Sequence, residues 1–135
     1  MKNEKTFQDQ LRSGGFLVTA EYLPRPEAGE AAIGGALGAL AGVPSAVNVS
    51  DNPFGVGMSS LAASIILARS GVEPIYQVVT RDRNRIAIQS DLLGAAALGI
   101  RNVLCLSGYH QTLTDSPESA NVYDLDSTQL VSLVA

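Results

Sequence analysis

Four short apolar segments recur along the chain, and a cluster of polar residues closes each of them. Their starts are separated by about 27 to 30 residues, the length of a strand and a following helix in a parallel sheet. The segments are Phe16–Glu21, Ala46–Ser50, Ile75–Thr80 and Asn102–Ser107. This spacing predicts an α/β fold of about four parallel βα units. The carboxyl ends of parallel strands form the face where ligands bind, so the polar clusters mark the expected functional face.

Length, charge and cysteine content limit the class of protein. The chain has 135 residues and a formal net charge of −4, which fits one domain over residues 1–135 and argues against a nucleic-acid surface. One cysteine and one histidine provide no metal-ligand cluster, and Cys105 lies in an apolar run that favours packing over nucleophilic chemistry. The chain shows no signal-peptide core and no segment long enough to span a bilayer. We therefore expect a cytoplasmic protein without a membrane partner.

Helical patterns separate the predicted strands. Helices are predicted at Thr6–Arg12, Glu27–Ala41, Ser59–Arg69 and Arg83–Leu98, with a last helix that begins at Ser127. Asp82 is the expected N-cap of the fourth helix, whose apolar side is predicted to carry Ile86, Leu93 and Ala97. Between the fourth strand and the last helix lies a long polar loop, and loops of that length often serve function.

Six ordered motifs resemble one known family. They are Val18–Tyr22 followed by Pro24, Val47–Pro53, Thr80–Arg85, Gln89–Gly94, Gly99–Leu104 and Val122–Ser127. Together they resemble the N-terminal half of methylenetetrahydrofolate reductase, in the branch also fused to homocysteine methyltransferase domains. The resemblance implies the first half of a TIM (β/α)8 barrel. It also implies a flavoprotein that uses FAD to pass a hydride from NAD(P)H to 5,10-methylenetetrahydrofolate, giving 5-methyltetrahydrofolate for methionine biosynthesis.

The resemblance also implies a catalytic role for Glu21 at the end of the first strand. The five-membered ring of the folate must open to an iminium before it accepts a hydride, and a proton donor near the departing nitrogen assists that opening. Glu21 occupies the position that the family uses for this donor. The alternative is a glutamate that faces solvent or pairs with Arg25.

Two further polar side chains match positions that the family uses to contact the flavin. Ser50 supplies a hydroxyl, and Gln77 lies at a position that faces the barrel interior. Asn52, two residues after Ser50, is a further candidate contact. The alternative for this segment is capping of the strand end by Ser50 or Asp51.

A short basic run follows the third strand. Arg81 and Arg83 could meet a pyrophosphate or a folate carboxylate, because guanidinium groups recognise such anions. The alternative is a solvated helix start that includes Arg83 and Arg85.

The chain departs from the family pattern after the fourth strand. The family usually carries an aspartate where this sequence has Tyr109, so a carboxylate is absent from the expected reaction centre. The phenol of Tyr109 could stack or donate a hydrogen bond to the cofactor. Neighbouring His110 could compensate by titrating near neutrality, or it could simply be exposed.

The second departure is length, because four βα units are half of a closed barrel. The first and fourth strands would then have unpaired edges, which favours a homo-oligomer or a partner chain that completes the barrel. Two functions are therefore expected. One is a reductase with a folate substrate, and the other is a non-catalytic flavin- or folate-binding subunit or interaction module derived from this fold.

Overall fold

The computed structural model describes residues 6–38 and 42–135. Within these ranges the strands are β1 Thr19–Tyr22, β2 Ala46–Val49, β3 Pro74–Val79 and β4 Asn102–Leu106. The helices are α1 Phe7–Arg12, α2 Glu30–Gly38, α3 Ser60–Arg69, α4 Arg85–Ala97 and α5 Ser127–Val134, and a 3-10 helix covers Gln111–Leu113. The strands form one parallel sheet in the order β1-β2-β3-β4, which confirms the predicted βα repeats.

Side chains alternate along each strand and give the sheet two different faces. On the first, which we name the helix-covered face, strand residues pack with helix residues in two buried clusters. The first cluster is Ile33, Val47, Val49, Ala63 and Leu67, and the second is Tyr76, Val78, Ile88, Ala95, Ile100 and Leu130. The opposite face, which we name the open face, carries the alternate residues Glu21, Asn48, Gln77 and Leu104.

The fourth helix begins later than the sequence predicts, and its N-cap prediction is wrong. The N-cap is Asn84, whose side-chain oxygen accepts a hydrogen bond from the Ala87 backbone N–H at 3.1 Å. Asp82 is not available for capping because its carboxylate accepts hydrogen bonds from Arg81 and Gln111. The ion pair between Arg81 and Asp82 therefore excludes Asp82 as the N-cap, and α4 starts after Asn84.

The predicted apolar side of α4 is also wrong. Ile86 and Leu93 are 75% and 73% exposed, while Ile88 and Ala95 are buried against the sheet. The helix has apolar residues on two sides, so the hydrophobic pattern alone does not select the one that packs. Asp91 shares a side with Ile88 and Ala95, and its ion pair with Arg83 holds that side toward the sheet.

Other boundaries differ by a few residues. The β1 strand starts at Thr19 rather than Phe16, and α2 starts at Glu30 rather than Glu27. The predicted end of α2, at residues 39–41, lies outside the described residues. Asp126 and Gln129 form the predicted capping box at the start of α5. Among the described helices, none is long and apolar enough to cross a bilayer.

Candidate functional site

The carboxyl ends of β1 and β2 bring Glu21 and Ser50 together. The Ser50 backbone N–H donates to the Tyr22 carbonyl at 3.0 Å, which continues the pairing of the two strands beyond β2. The Ser50 hydroxyl then lies 2.6 Å from Glu21 Oε1 and donates to it. Ser50 is buried and Glu21 is exposed. One carboxylate oxygen is thus held by the protein, and the other has no hydrogen-bond partner among the residues that the structure describes.

Gln77 lies on the same open face, on the next strand. Its backbone carbonyl accepts a hydrogen bond from the buried Ser60 hydroxyl at 3.0 Å, which ties β3 to the start of α3. Its side chain is 8% exposed, and within residues 6–38 and 42–135 the side-chain amide makes no hydrogen bond. An amide can donate and accept, so Gln77 offers both functions at the centre of the open face.

Thr80 adds a second unused polar group at the carboxyl end of β3. The residue is fully buried, and its Oγ1 has no hydrogen-bond partner in the described part of the chain. Buried hydroxyls normally have a partner. Thr80 follows Tyr76 and Val78 in the alternation of β3, so its hydroxyl lies on the helix-covered side and is not available to the open face.

An ionic network fixes the turn after β2 against the turn after β3. Asp51 Oδ2 accepts the Val79 backbone N–H at 2.9 Å and pairs with Arg83, which also contacts Asp91 at 3.0 Å. Burial raises the pKa of Asp51, and the positive charge of Arg83 offsets part of that rise. Arg83 is thus a structural bridge rather than a solvated helix start, while Arg85 is exposed and pairs with Asp124.

Arg81 connects the loops that follow β2, β3 and β4. Its guanidinium, 2% exposed, donates twice to Asp82, at 2.7 and 2.8 Å. It also donates to the carbonyls of Asn52 at 2.8 Å and Tyr109 at 3.2 Å. These four contacts use most of the five N–H donors of an arginine. Contact with a pyrophosphate stays a prediction, and the observed geometry makes Arg81 a residue that positions the loops.

Asn52 serves mainly its own loop in this structure. It has a positive φ of 47°, and its side-chain oxygen accepts the Gly57 backbone N–H at 2.9 Å. A Cβ on Gly57 would lie 2.3 Å from the Pro24 carbonyl oxygen, so only glycine lets the loops after β1 and β2 approach this closely. A flavin contact from the remaining Asn52 amide nitrogen stays a prediction.

Tyr109 and Phe54 form an exposed aromatic pair at the rim of the site. Their ring centroids are 6.3 Å apart and their planes differ by 13°. Tyr109 is 57% exposed and Phe54 is 60% exposed. The pair joins the loop after β2 to the loop after β4, and the rings present an apolar surface next to Arg81.

His110 contacts its own loop through both ring nitrogens. Nδ1 lies 3.0 Å from Thr112 Oγ1, and Nε2 lies 3.0 Å from the Asn121 side-chain nitrogen. The side chain is exposed. The predicted compensation for the missing carboxylate stays a prediction.

Two clefts differ in size and position. The larger, about 880 Å³, lies at the amino ends of the strands and is lined by α1 and by the turns before β2, β3 and β4. The smaller, about 270 Å³, lies at the carboxyl ends and includes Asn52, Arg81, Asp82 and Gln111. Ligands of parallel βα folds bind at the carboxyl ends, so position rather than volume favours the smaller cleft. Its lining borders the candidate site through Asn52 and Arg81 but does not include Glu21, Ser50 or Gln77.

The comparison with protein families decides the identity of this fold. The family model for methylenetetrahydrofolate reductase matches residues 6–135. The chain belongs to the methylenetetrahydrofolate reductase family. This confirms the resemblance, and it identifies the four βα units as part of a TIM barrel. Membership supports an oxidoreductase-type role in folate one-carbon metabolism. A search among curated proteins found no match.

Sequence reasoning missed part of this site. It assigned Glu21 and Ser50 separate roles and predicted no contact between them, and it did not consider Phe54. The register of β1 with β2 pairs Glu21 with Asn48, which puts Ser50 two residues further along the same face. That alternation was a usable signal for the Ser50 contact. No local sequence pattern predicts the stacking of Phe54 on Tyr109, because the two residues are distant in sequence.

Proposed function

We propose that the open face of the sheet binds FAD and a folate, and that the chain acts as a methylenetetrahydrofolate reductase with NAD(P)H as the hydride source. The observation that carries this proposal is the hydrogen bond between Ser50 and Glu21 beside the unused amide of Gln77. We place the reaction in the cytoplasm, because one cysteine forms no internal disulfide.

The residues at the carboxyl ends fit an isoalloxazine ring. Such a ring carries both hydrogen-bond donors and acceptors, and Gln77 can satisfy one of each. When bound, FAD supplies the hydride that reduces the folate. Ser50 and Gln77 would hold its ring.

Glu21 is the group that handles the proton. Its Oε1 is fixed by the Ser50 hydroxyl, and its exposed second oxygen is available to carry a proton for the departing folate nitrogen. Ser50 restricts the rotation of the carboxyl group and so keeps this proton in one place.

Two half-reactions test this proposal separately. The purified chain is loaded with FAD, reduced anaerobically by NADH or NADPH, and then mixed with methylenetetrahydrofolate while the flavin absorbance is followed. Glu21→Gln keeps an oxygen that accepts from Ser50 but removes the acidic proton. We expect it to slow folate-dependent reoxidation by about 10²–10⁴-fold and to leave flavin reduction unchanged. Glu27→Gln, at another exposed glutamate, is the matched control and leaves both rates unchanged.

Equal loss of both half-reactions in Glu21→Gln would contradict the proton-donor role. A chain that binds neither FAD nor folate would contradict the assignment of the open face as a ligand site.

A non-catalytic flavin- or folate-binding subunit is the second candidate, and Tyr109 favours it. This exposed tyrosine stands where the family usually has an aspartate, so the described site lacks a carboxylate that tunes the chemistry. This candidate predicts FAD binding without folate-dependent reoxidation. Tyr109→Asp should then restore reoxidation, whereas a wild-type chain that already turns over would exclude this candidate.

The outer edges of β1 and β4 have no neighbouring strand in the described sheet and can pair with strands of a partner. Both strands are at the ends of the described sheet, as the order β1-β2-β3-β4 requires. We propose that further strands, from a partner chain or a second copy, pair with these edges when the site is complete.

A further inference from the structure

The outer side of α4 is an apolar surface that the fold itself does not use. Ile86 is 75% exposed and Leu93 is 73% exposed, and Ser90 and Ala97 on the same side are also exposed. Helix α4 is flanked by α3 and α5. Both of these helices contribute side chains to the buried cluster beneath α4. The exposure of this side is therefore not caused by a missing neighbour in the layer of helices.

The four positions follow the spacing of a helix–helix seam. Residues 86, 90, 93 and 97 are separated by four, three and four positions, the repeat that keeps one stripe in contact with a partner helix. We name Ile86, Ser90, Leu93 and Ala97 the α4 stripe. Large and small side chains alternate along it, which is an arrangement that can interlock with a second helix.

We propose that the α4 stripe binds the α4 stripe of a second copy of this chain, with the two helices antiparallel about a two-fold axis. In that arrangement Ile86 faces the partner's Ala97, and Leu93 faces the partner's Ser90. Each large side chain thus meets a small one, and symmetry repeats both pairs. A parallel pair would instead place Leu93 on the partner's Leu93 and Ala97 on the partner's Ala97, which leaves crowding at one level and a gap at another.

The charges of α4 are compatible with this occupant. Along α4 the charged residues are Arg85 and Asp91, and both already have partners, Asp124 and Arg83. No unpaired charge on α4 is therefore buried when the stripes meet. The antiparallel arrangement also places Arg85 near the carboxyl end of the partner helix, where a helix dipole favours positive charge.

The size of the contact predicts a modest affinity. The contact is a single pair of 13-residue helices, smaller than the extended interfaces of permanent assemblies. We therefore expect a concentration-dependent equilibrium between a 14.1 kDa monomer and its dimer rather than a permanent assembly. This inference does not rest on the proposed function, because the α4 stripe lies on the opposite side of the helix layer from the open face.

Sedimentation equilibrium over a range of chain concentrations tests the proposal. We expect the apparent mass of the wild type to rise toward twice the monomer mass. Leu93→Lys should shift the dissociation constant by at least about tenfold toward monomer, since it puts a charge against the partner's Ser90. Leu11→Lys makes the same change at another exposed leucine, on α1, and should have the same dissociation constant as the wild type. Far-ultraviolet circular dichroism checks that all three chains are folded.

Cysteine cross-linking tests the register, in a Cys105→Ser background. A mixture of Ser90→Cys and Leu93→Cys chains should form a disulfide-linked heterodimer on mild oxidation. A mixture of Ser90→Cys and Ile86→Cys chains should form markedly less, because those positions are not opposite each other. A wild type that stays monomeric at every concentration would overturn the proposal. So would a dimer that Leu93→Lys leaves intact, or equal cross-linking in the two mixtures.

Discussion

The two faces of the sheet are built from the same four strands and have opposite chemistry. On the helix-covered face, Val47, Val49 and Val78 are fully buried among helix side chains. On the open face, Glu21 is exposed and Gln77 has no side-chain hydrogen bond within the described residues. The covered face supplies the burial that stabilises the fold, and the open face keeps polar groups unsatisfied. A substitution should therefore affect stability on one face and ligand binding on the other.

The largest expected difference is in stability. Leu67→Ala removes a fully buried side chain from the cluster that contains Val47 and Val49 and should lower the free energy of unfolding by roughly 2–5 kcal/mol. Gln77→Leu on the open face should change it by less than about 1 kcal/mol, because no side-chain hydrogen bond among the described residues is lost. Denaturant unfolding measures both values. Equal losses of unfolding free energy in the two variants would show that the open face stabilises the fold as much as the helix-covered face does.

The next effect concerns the ionic network at the ends of β2 and β3. Arg83→Met keeps most of the side-chain volume but leaves the buried Asp51 without its cation. We expect a loss of about 2 kcal/mol, below the usual range for a fully buried pair because Arg83 is 21% exposed. Arg69→Met is the control, at an exposed arginine on α3. The same unfolding experiment measures both variants. Equal stability of Arg83→Met and Arg69→Met would contradict a stabilising role for the Asp51–Arg83 ion pair.

A smaller effect is the pH dependence of Asp51. Burial raises the pKa of Asp51 in the folded chain above its ordinary value of 3.8, so the folded state binds this proton more readily than the unfolded state. The contribution of Asp51 to stability therefore falls as the pH rises through the window above 3.8. Asp51→Asn removes this titration. The stability of the wild type relative to Asp51→Asn should decrease with rising pH, as denaturant unfolding at several pH values would measure. A constant difference would contradict the raised pKa.

The sequence predicted the parts of the molecule that depend on local pattern. The β-branched strands, the spacing of the βα units and the capping box of Asp126 with Gln129 are all readable along the chain, and the structure has them. The start of α4 and its buried side are not readable in this way. They depend on two ion pairs, that of Asp82 with Arg81 and that of Asp91 with Arg83.

The candidate site was predicted only in part for the same reason. Glu21, Ser50 and Gln77 were predicted because the family resemblance assigns roles to their positions, and the fold brings them to the same face. Arg81 was predicted as a ligand contact, whereas its guanidinium is used mainly to join three loops. Which donors of an arginine stay free depends on carbonyls far away in sequence, and a pattern of residues does not contain that information.

The central claim is that the open face binds the flavin, and an FAD titration of the full chain tests it most directly. Gln77→Leu keeps the size of the side chain and removes the amide, while Gln8→Leu makes the same change at an exposed position on α1. We predict that the wild type and Gln8→Leu bind FAD with the same dissociation constant and that Gln77→Leu binds at least about tenfold more weakly, the loss expected for a buried polar contact. Equal affinity in all three chains would contradict the claim.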